Sequence, residues 1–218
     1  MQWLRRGRQF GLAVRNAGRL REILRVFARH GFADVAERMG LDRFIPARIF
    51  SLLGEATDRP SEERLRIAFE QLGPTFVKLG QVLAARPDLV PESFVEELKK
   101  LQDHVRTLPF ETVKEVVERE LGRPIGEAVS SFEEVPIAAA SIAQVHGAVL
   151  PTGEKVVLKI QRPGIESVIN QDLALIEFLA KLLERYVPES RIFGPTLIVD
   201  EFFRTLRLEL DFNIEAEA

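Results

Sequence analysis

The sequence predicts an α+β fold in which helices dominate and a small antiparallel sheet is confined to about residues 131–161. Three observations carry this expectation. Apolar residues recur at helical spacing up to about residue 125, and again from Ile165 onward. Two stretches, Ala143–Val149 and Lys155–Gln161, alternate with a period of two instead. Between them Pro151-Thr152-Gly153-Glu154 supplies a turn, so the pair reads as a hairpin.

Each element has its own signal. Leu20, Ile23, Leu24 and Phe27 lie at i, i+3, i+4 and i+7 and predict a first helix. Ser61, followed by Glu62 and Glu63, starts another, whose stripe is Leu65, Ala68, Phe69 and Leu72. Gly73-Pro74 ends that helix and opens the next, which stops before Arg86-Pro87 because a residue preceding proline avoids the α region. Further helices are expected from Pro91, with Phe94, Leu98, Leu101 and Val105 inward, and from Pro109, with Phe110, Val113, Val117 and Leu121 inward. The latter ends at Gly122. In the second hairpin arm Val156, Leu158 and Ile160 share one face, and Val157, Lys159 and Gln161 the other. Helix returns with Ile169, Leu173, Ile176 and Leu183, and a last helix starts near Gly194-Pro195.

Composition excludes several function classes. The 218 residues contain no cysteine, which removes disulfide scaffolds, thiol nucleophiles and cysteine-ligated metals. His30, His104 and His146 are dispersed, so no metal site is expected from them. No apolar run approaches the ~18–20 residues of a membrane span. The net charge of −3 conceals an asymmetry: residues 1–30 carry eight arginines against the single Glu22, a local +7, which leaves −10 for the remainder. A basic amphipathic helix of this kind suits an anionic bilayer surface, or else is a solvated face packed on a neighbour. Nucleic-acid binding is not expected, because aromatics are sparse there and the rest of the chain is acidic.

Four motifs carry chemistry when taken in order. Lys159 closes a Val-Val-Leu-Lys strand, and a strand lysine on an open sheet face can reach nucleotide phosphates, although most such lysines are only solvated. Ahead of it, Ala138-Ala139-Ala140-Ser141 offers small side chains that let backbone amides approach a phosphate. Lys78 and Gln81 share one face of the helix opened by Pro74, opposite Phe76, Leu79 and Leu83. Gly80 costs about 1 kcal/mol inside that helix, which implies close approach of a neighbour. Finally Glu209, Asp211 and Glu215 cluster near the end, with Asp211 and Glu215 at i,i+4.

Together the stretches FVKLGQVLAARPDLVP (76–91), AAASIAQVH (138–146), VVLKIQRPGI (156–165) and ELDFNIEAEA (209–218) resemble the UbiB/AarF atypical kinase-like family, associated with ubiquinone biosynthesis. The resemblance implies a helical N-terminal extension followed by an incomplete protein-kinase-like N-lobe. The expected segments are a basic helical part at 1–58, an extension carrying the Lys-x-Gly-Gln signature at 59–130, and the N-lobe at 131–218. It implies ATP as cofactor, with Lys159 at the phosphates, Glu215 as the αC glutamate that pairs with it, and Ala138, Ala139, Ala140 and Ser141 as the replacement for a glycine-rich loop. Lys78 and Gln81 would act over the nucleotide cleft near Glu209 and Asp211, obstructing a protein substrate. Quinone-pathway lipids or proteins and an anionic membrane surface are the implied partners, at the cytoplasmic face of an inner membrane by default, with mitochondrion or plastid open.

The chain also departs from the pattern. Val157 stands where kinases usually have alanine and would crowd the adenine ceiling, and Ala218 falls where the family often has asparagine. A kinase-like domain needs a catalytic loop and a D-F-G metal site, expected to follow residue 218 together with the Mg2+ ligands. Asp211-Phe212-Asn213 imitates D-F-G but lies where the αC element belongs. The expectation is therefore the N-terminal part of an ATP-binding kinase or ATPase, binding nucleotide weakly or not at all by itself. The alternative is a non-catalytic membrane- or partner-binding module.

Overall fold

The computed structural model describes residues 16–44, 58–101 and 107–210. In chain order the helices before the sheet are α1 (Ala17–Arg29), α2 (Ala33–Arg38), α3 (Ser61–Leu72), α4 (Pro74–Ala84), α5 (Glu92–Leu98), α6 (Phe110–Leu121) and α7 (Ile125–Ala128). The strands are β1 (Ser131–Phe132), β2 (Ala138–Ala139), β3 (Ala143–Val149) and β4 (Lys155–Gln161). Two long helices follow, α8 (Ile165–Tyr186) and α9 (Pro195–Leu210). The fold is α+β, as the sequence predicts.

Packing divides the chain into two compact units, residues 1–102 with 168–218, and residues 103–167. These follow contact, whereas the segments 1–58, 59–130 and 131–218 follow motif order.

The first unit is helical. Gly73, at φ +94°, takes a backbone conformation that side chains resist, which lets α3 end and Pro74 open α4 at once. Leu20, Ile23 and Leu24 of α1, Phe69 and Leu72 of α3, Phe76 of α4, Leu98 of α5, and Phe202 and Leu206 of α9 form its core. Phe27, Phe69 and Phe76 meet with ring centroids 6.0–6.4 Å apart, near the tilted and edge-to-face geometry that aromatic quadrupoles favour. Gly80 lies where α4 meets Phe69, Leu98 and Leu101, so a β-carbon would overlap Leu101 and sit 2.9 Å from Phe69 Cδ2. The close approach inferred from the helix glycine is thus to the unit's own core.

The apolar stripe of α1 is spent inside this unit. Arg19 of the same helix donates to both carboxylate oxygens of Asp172, at 2.7 and 2.9 Å, and to the carbonyl of Leu72 at 2.6 Å. Asp172 is only 1% exposed, and its hydrogen bonds with Arg19 push that guanidinium above its usual value against the opposing effect of burial. Arg21 and Arg29 stay exposed. Arg5, Arg6, Arg8 and Arg15 lie outside the described residues.

In the second unit β3 is the central strand. β4 runs antiparallel along one edge, and β1 and β2 pair in succession with the other. The buried face carries Phe132, Leu158 and Ile160 against Val113, Val116 and Val117 of α6. Leu121, expected inward, is 47% exposed. It is the last residue of α6, where left-handed Gly122 turns the chain away, and Val116 completes the stripe instead.

Candidate functional site

The open face of the sheet is built by strand alternation. Residues 143, 145, 147 and 149 of β3 share a face, and directly opposed residues of neighbouring strands point the same way. Ala138, Val145 and Lys159 therefore form one cross-strand row, with Val145 between the other two. Lys159 and Ala138 are exposed. The adjacent row along β3 contains Gly147 opposite Val157, which is 65% exposed. Glu133 joins this row by donating its N–H to Gly147 O at 2.9 Å, extending the β1 pairing by one residue. Gly147, across the strand from Val157, has no side chain, and the Glu133 carboxylate lies in that space.

Ala138 and Ala139, expected in a loop, are strand β2, and the turn proper begins at Ala140, whose N–H is donated to Ala143 O at 2.8 Å. Ser141 is 3% exposed, so its side chain faces inward instead of lining the open surface. Arg162 braces this turn, donating its Nε–H to Ala140 O at 3.2 Å and its backbone N–H to Ile142 O at 2.9 Å. Burial lowers its guanidinium from the usual value. A cation thus stands directly behind the alanine turn.

On the opposite, buried face runs a polar chain. Leu108 N–H donates to Gln144 Oε1, the Gln144 amide meets His146 Nε2 at 3.2 Å, and His146 Nδ1 lies 2.9 Å from Glu133 O. Satisfaction of all three contacts requires the His146 proton on Nδ1 and the acceptor on Nε2. Gln144 and His146 are both 0% exposed, and the imidazole stacks on Phe132 at 5.2 Å. Sequence reasoning assigned no role to Gln144, His146, Arg162 or Glu133. In β3 the alternation of Ala143, Val145, Gly147 and Val149 would put Gln144 and His146 on the outward side; the structure turns that side inward, where burial tolerates the two polar groups because they are hydrogen-bonded.

The first unit holds the other motif. Lys78 Nζ lies 2.6 Å from Glu209 Oε1, and their side chains are 20% and 34% exposed. Gln81 is half-buried on the same face of α4. Asp211 and Glu215 lie outside the described residues. Among the described residues no three His, Asp or Glu side chains gather in a group that could hold a metal ion.

An α+β chain with a lysine-bearing antiparallel sheet, a small-residue turn before it and helices on either side in sequence falls in the kinase-like class. The chain belongs to the ABC1 atypical kinase-like family, whose domain matches residues 100–218. It is 44% identical over 191 residues to a Marinobacter nauticus protein named "Probable protein kinase UbiB", covering 82% of this chain and 35% of that one. A Pseudomonas fluorescens protein of the same name is 40% identical over 210 residues, covering 94% of this chain and 39% of its own length. The chain thus spans little more than a third of these relatives. A solved structure titled as a complex of a Mycobacterium tuberculosis protein, Rv3197, with erythromycin is 33% identical, with a TM-score of 0.42, over 62% of this chain and 34% of that one.

Proposed function

We propose that the chain is the N-terminal, nucleotide-binding portion of a UbiB-like atypical kinase or ATPase that supports ubiquinone synthesis at a membrane. The observation that carries this reading is the row Ala138–Val145–Lys159, a cation on an open face two strands from the small side chain of Ala138. When bound, ATP would supply the phosphoryl group. The residues supply the rest. Lys159 would neutralise phosphate charge through charge-assisted hydrogen bonds. Ala138 leaves room at the far end of the row, Arg162 holds the turn, and Val157 offers an apolar surface on the same face as Lys159. Lys78, Gln81, Glu209 and Asp211 are proposed to modulate turnover, and Glu215 to pair with Lys159. Magnesium ligands are proposed to lie outside the described residues.

The lipid side of the proposal is supported by an apolar cavity of about 460 Å³ in the first unit, lined by Leu24, Phe69, Phe76, Phe94, Ile176 and Val199 among others. A cavity of that size and polarity suits a hydrocarbon chain. No helix among the described residues is long and apolar enough to cross a membrane. Because the apolar stripe of α1 is buried, attraction to an anionic bilayer would come from charge, about 1 kcal/mol per arginine near the surface. The test of the nucleotide reading is titration with Mg-ATP of the wild type and of Lys159→Ala. A drop in affinity of about tenfold or more supports it, and equal affinity contradicts it.

A further inference from the structure

We propose that Glu133 is the residue that reads the sugar of the nucleotide, and that it fixes which way round the nucleotide lies on the sheet. This rests on the nucleotide reading given above. A β-carbon placed on Gly147 would meet the Glu133 carboxyl carbon and one of its oxygens at 2.7 Å and the other oxygen at 3.1 Å. The carboxylate therefore occupies the space that a side chain at Gly147 would take, on the same face as Lys159 and one row along β3. Rows two residues apart on a strand are separated by about 7 Å.

Charge decides the orientation. Phosphates are drawn to Lys159 and repelled by Glu133, so they belong at the end of the face formed by Lys159 and the turn at Ala140. The sugar, one step along a nucleotide from its α-phosphate, then falls at Gly147 and Glu133. An ionised carboxylate only accepts hydrogen bonds, and a ribose offers two hydroxyl donors at its 2′ and 3′ positions. Carboxylates hold ribose hydroxyls in this way in other nucleotide folds.

Glu133 is also unusually well held for an exposed residue. Its N–H is donated to Gly147 O at 2.9 Å, and its own carbonyl accepts from His146 Nδ1 at 2.9 Å. The buried chain from Leu108 through Gln144 and His146 thus ends on the backbone of this one residue. The two buried polar side chains thus fix the backbone from which the Glu133 carboxylate projects.

The experiment is an NMR titration of the full chain, which reads millimolar affinities, with ATP, 2′,3′-dideoxy-ATP and inorganic tripolyphosphate. The variants are Glu133→Ala, Gly147→Ala and Lys159→Ala. The wild type is expected to prefer ATP over the dideoxy nucleotide by about tenfold, as a hydrogen bond to a charged group contributes. Glu133→Ala brings that ratio to about one, while tripolyphosphate binding holds or strengthens because a repulsive charge is gone. Gly147→Ala displaces the carboxylate without removing it and also lowers the ratio. The ratio is the deciding readout, since loss of charge alone would shift both nucleotides equally. If the wild type does not discriminate, or Glu133→Ala keeps the preference, the assignment of Glu133 is wrong; a Lys159→Ala effect on ATP would then leave the nucleotide reading standing. Absence of ATP and tripolyphosphate binding in the wild type would overturn both.

Discussion

Lys78 Nζ lies 2.6 Å from Glu209 Oε1, which ties the signature helix α4 to the last turn of α9. Both side chains retain solvent contact, so the pair contributes about 0–1 kcal/mol to stability. Lys78→Ala should therefore leave the melting temperature within a few degrees of wild type while changing nucleotide turnover. Thermal denaturation and turnover, measured on the same variant in a protein with ATPase activity, check this. A variant that unfolds, or one with unaltered turnover, contradicts it.

Gly80 makes the opposite case, a motif residue whose role is packing. Gly80→Ala gains about 1 kcal/mol of helix propensity but sets a methyl against Leu101 and Phe69, both of which are buried. Overpacking of that kind costs about 1–3 kcal/mol, leaving a net loss of up to about 2 kcal/mol. Chemical denaturation reads the difference. A more stable Gly80→Ala protein would show that the contact is not tight.

Acid should loosen the start of α9 through one carboxylate. Glu184 accepts the hydroxyl of Thr196 at 2.7 Å and its backbone N–H at 2.9 Å, which together hold the carboxyl below its usual range. A depressed carboxylate stabilises the fold above its unfolded value near ~4.3, and that contribution is lost as pH falls through the lower folded value. Glu184→Gln should cost about 1 kcal/mol at neutral pH, the scale of a lost helix cap, and nothing once Glu184 is protonated. Denaturation from pH 7 to 3 measures this. A difference independent of pH would refute the capping role.

Much of the fold was legible because its boundaries are chemical. Pro74 and Pro195 open α4 and α9, Pro91 and Pro109 immediately precede α5 and α6, and period-two alternation marks β3 and β4 at their observed limits. The six-residue α2 and the two-residue strands β1 and β2 were not legible, being too short to show a period. At the site, Lys159 and its face followed from alternation. Glu133 did not, since its place over Gly147, 14 positions further along the sequence, depends on β1 pairing with β3. Gln144 and His146 read as strand residues, and only the tertiary contact with Leu108 and Glu133 explains two polar groups at 0% exposure.

The central claim is that a nucleotide lies on the open face of the β2–β3–β4 sheet. Amide chemical-shift mapping during an ATP titration tests it most directly. The account predicts shifts concentrated at Ala138–Ser141, Val145, Gly147 and Val157–Lys159, and their loss in Lys159→Ala. Shifts confined to residues outside 131–162, or a pattern unchanged by Lys159→Ala, would contradict it.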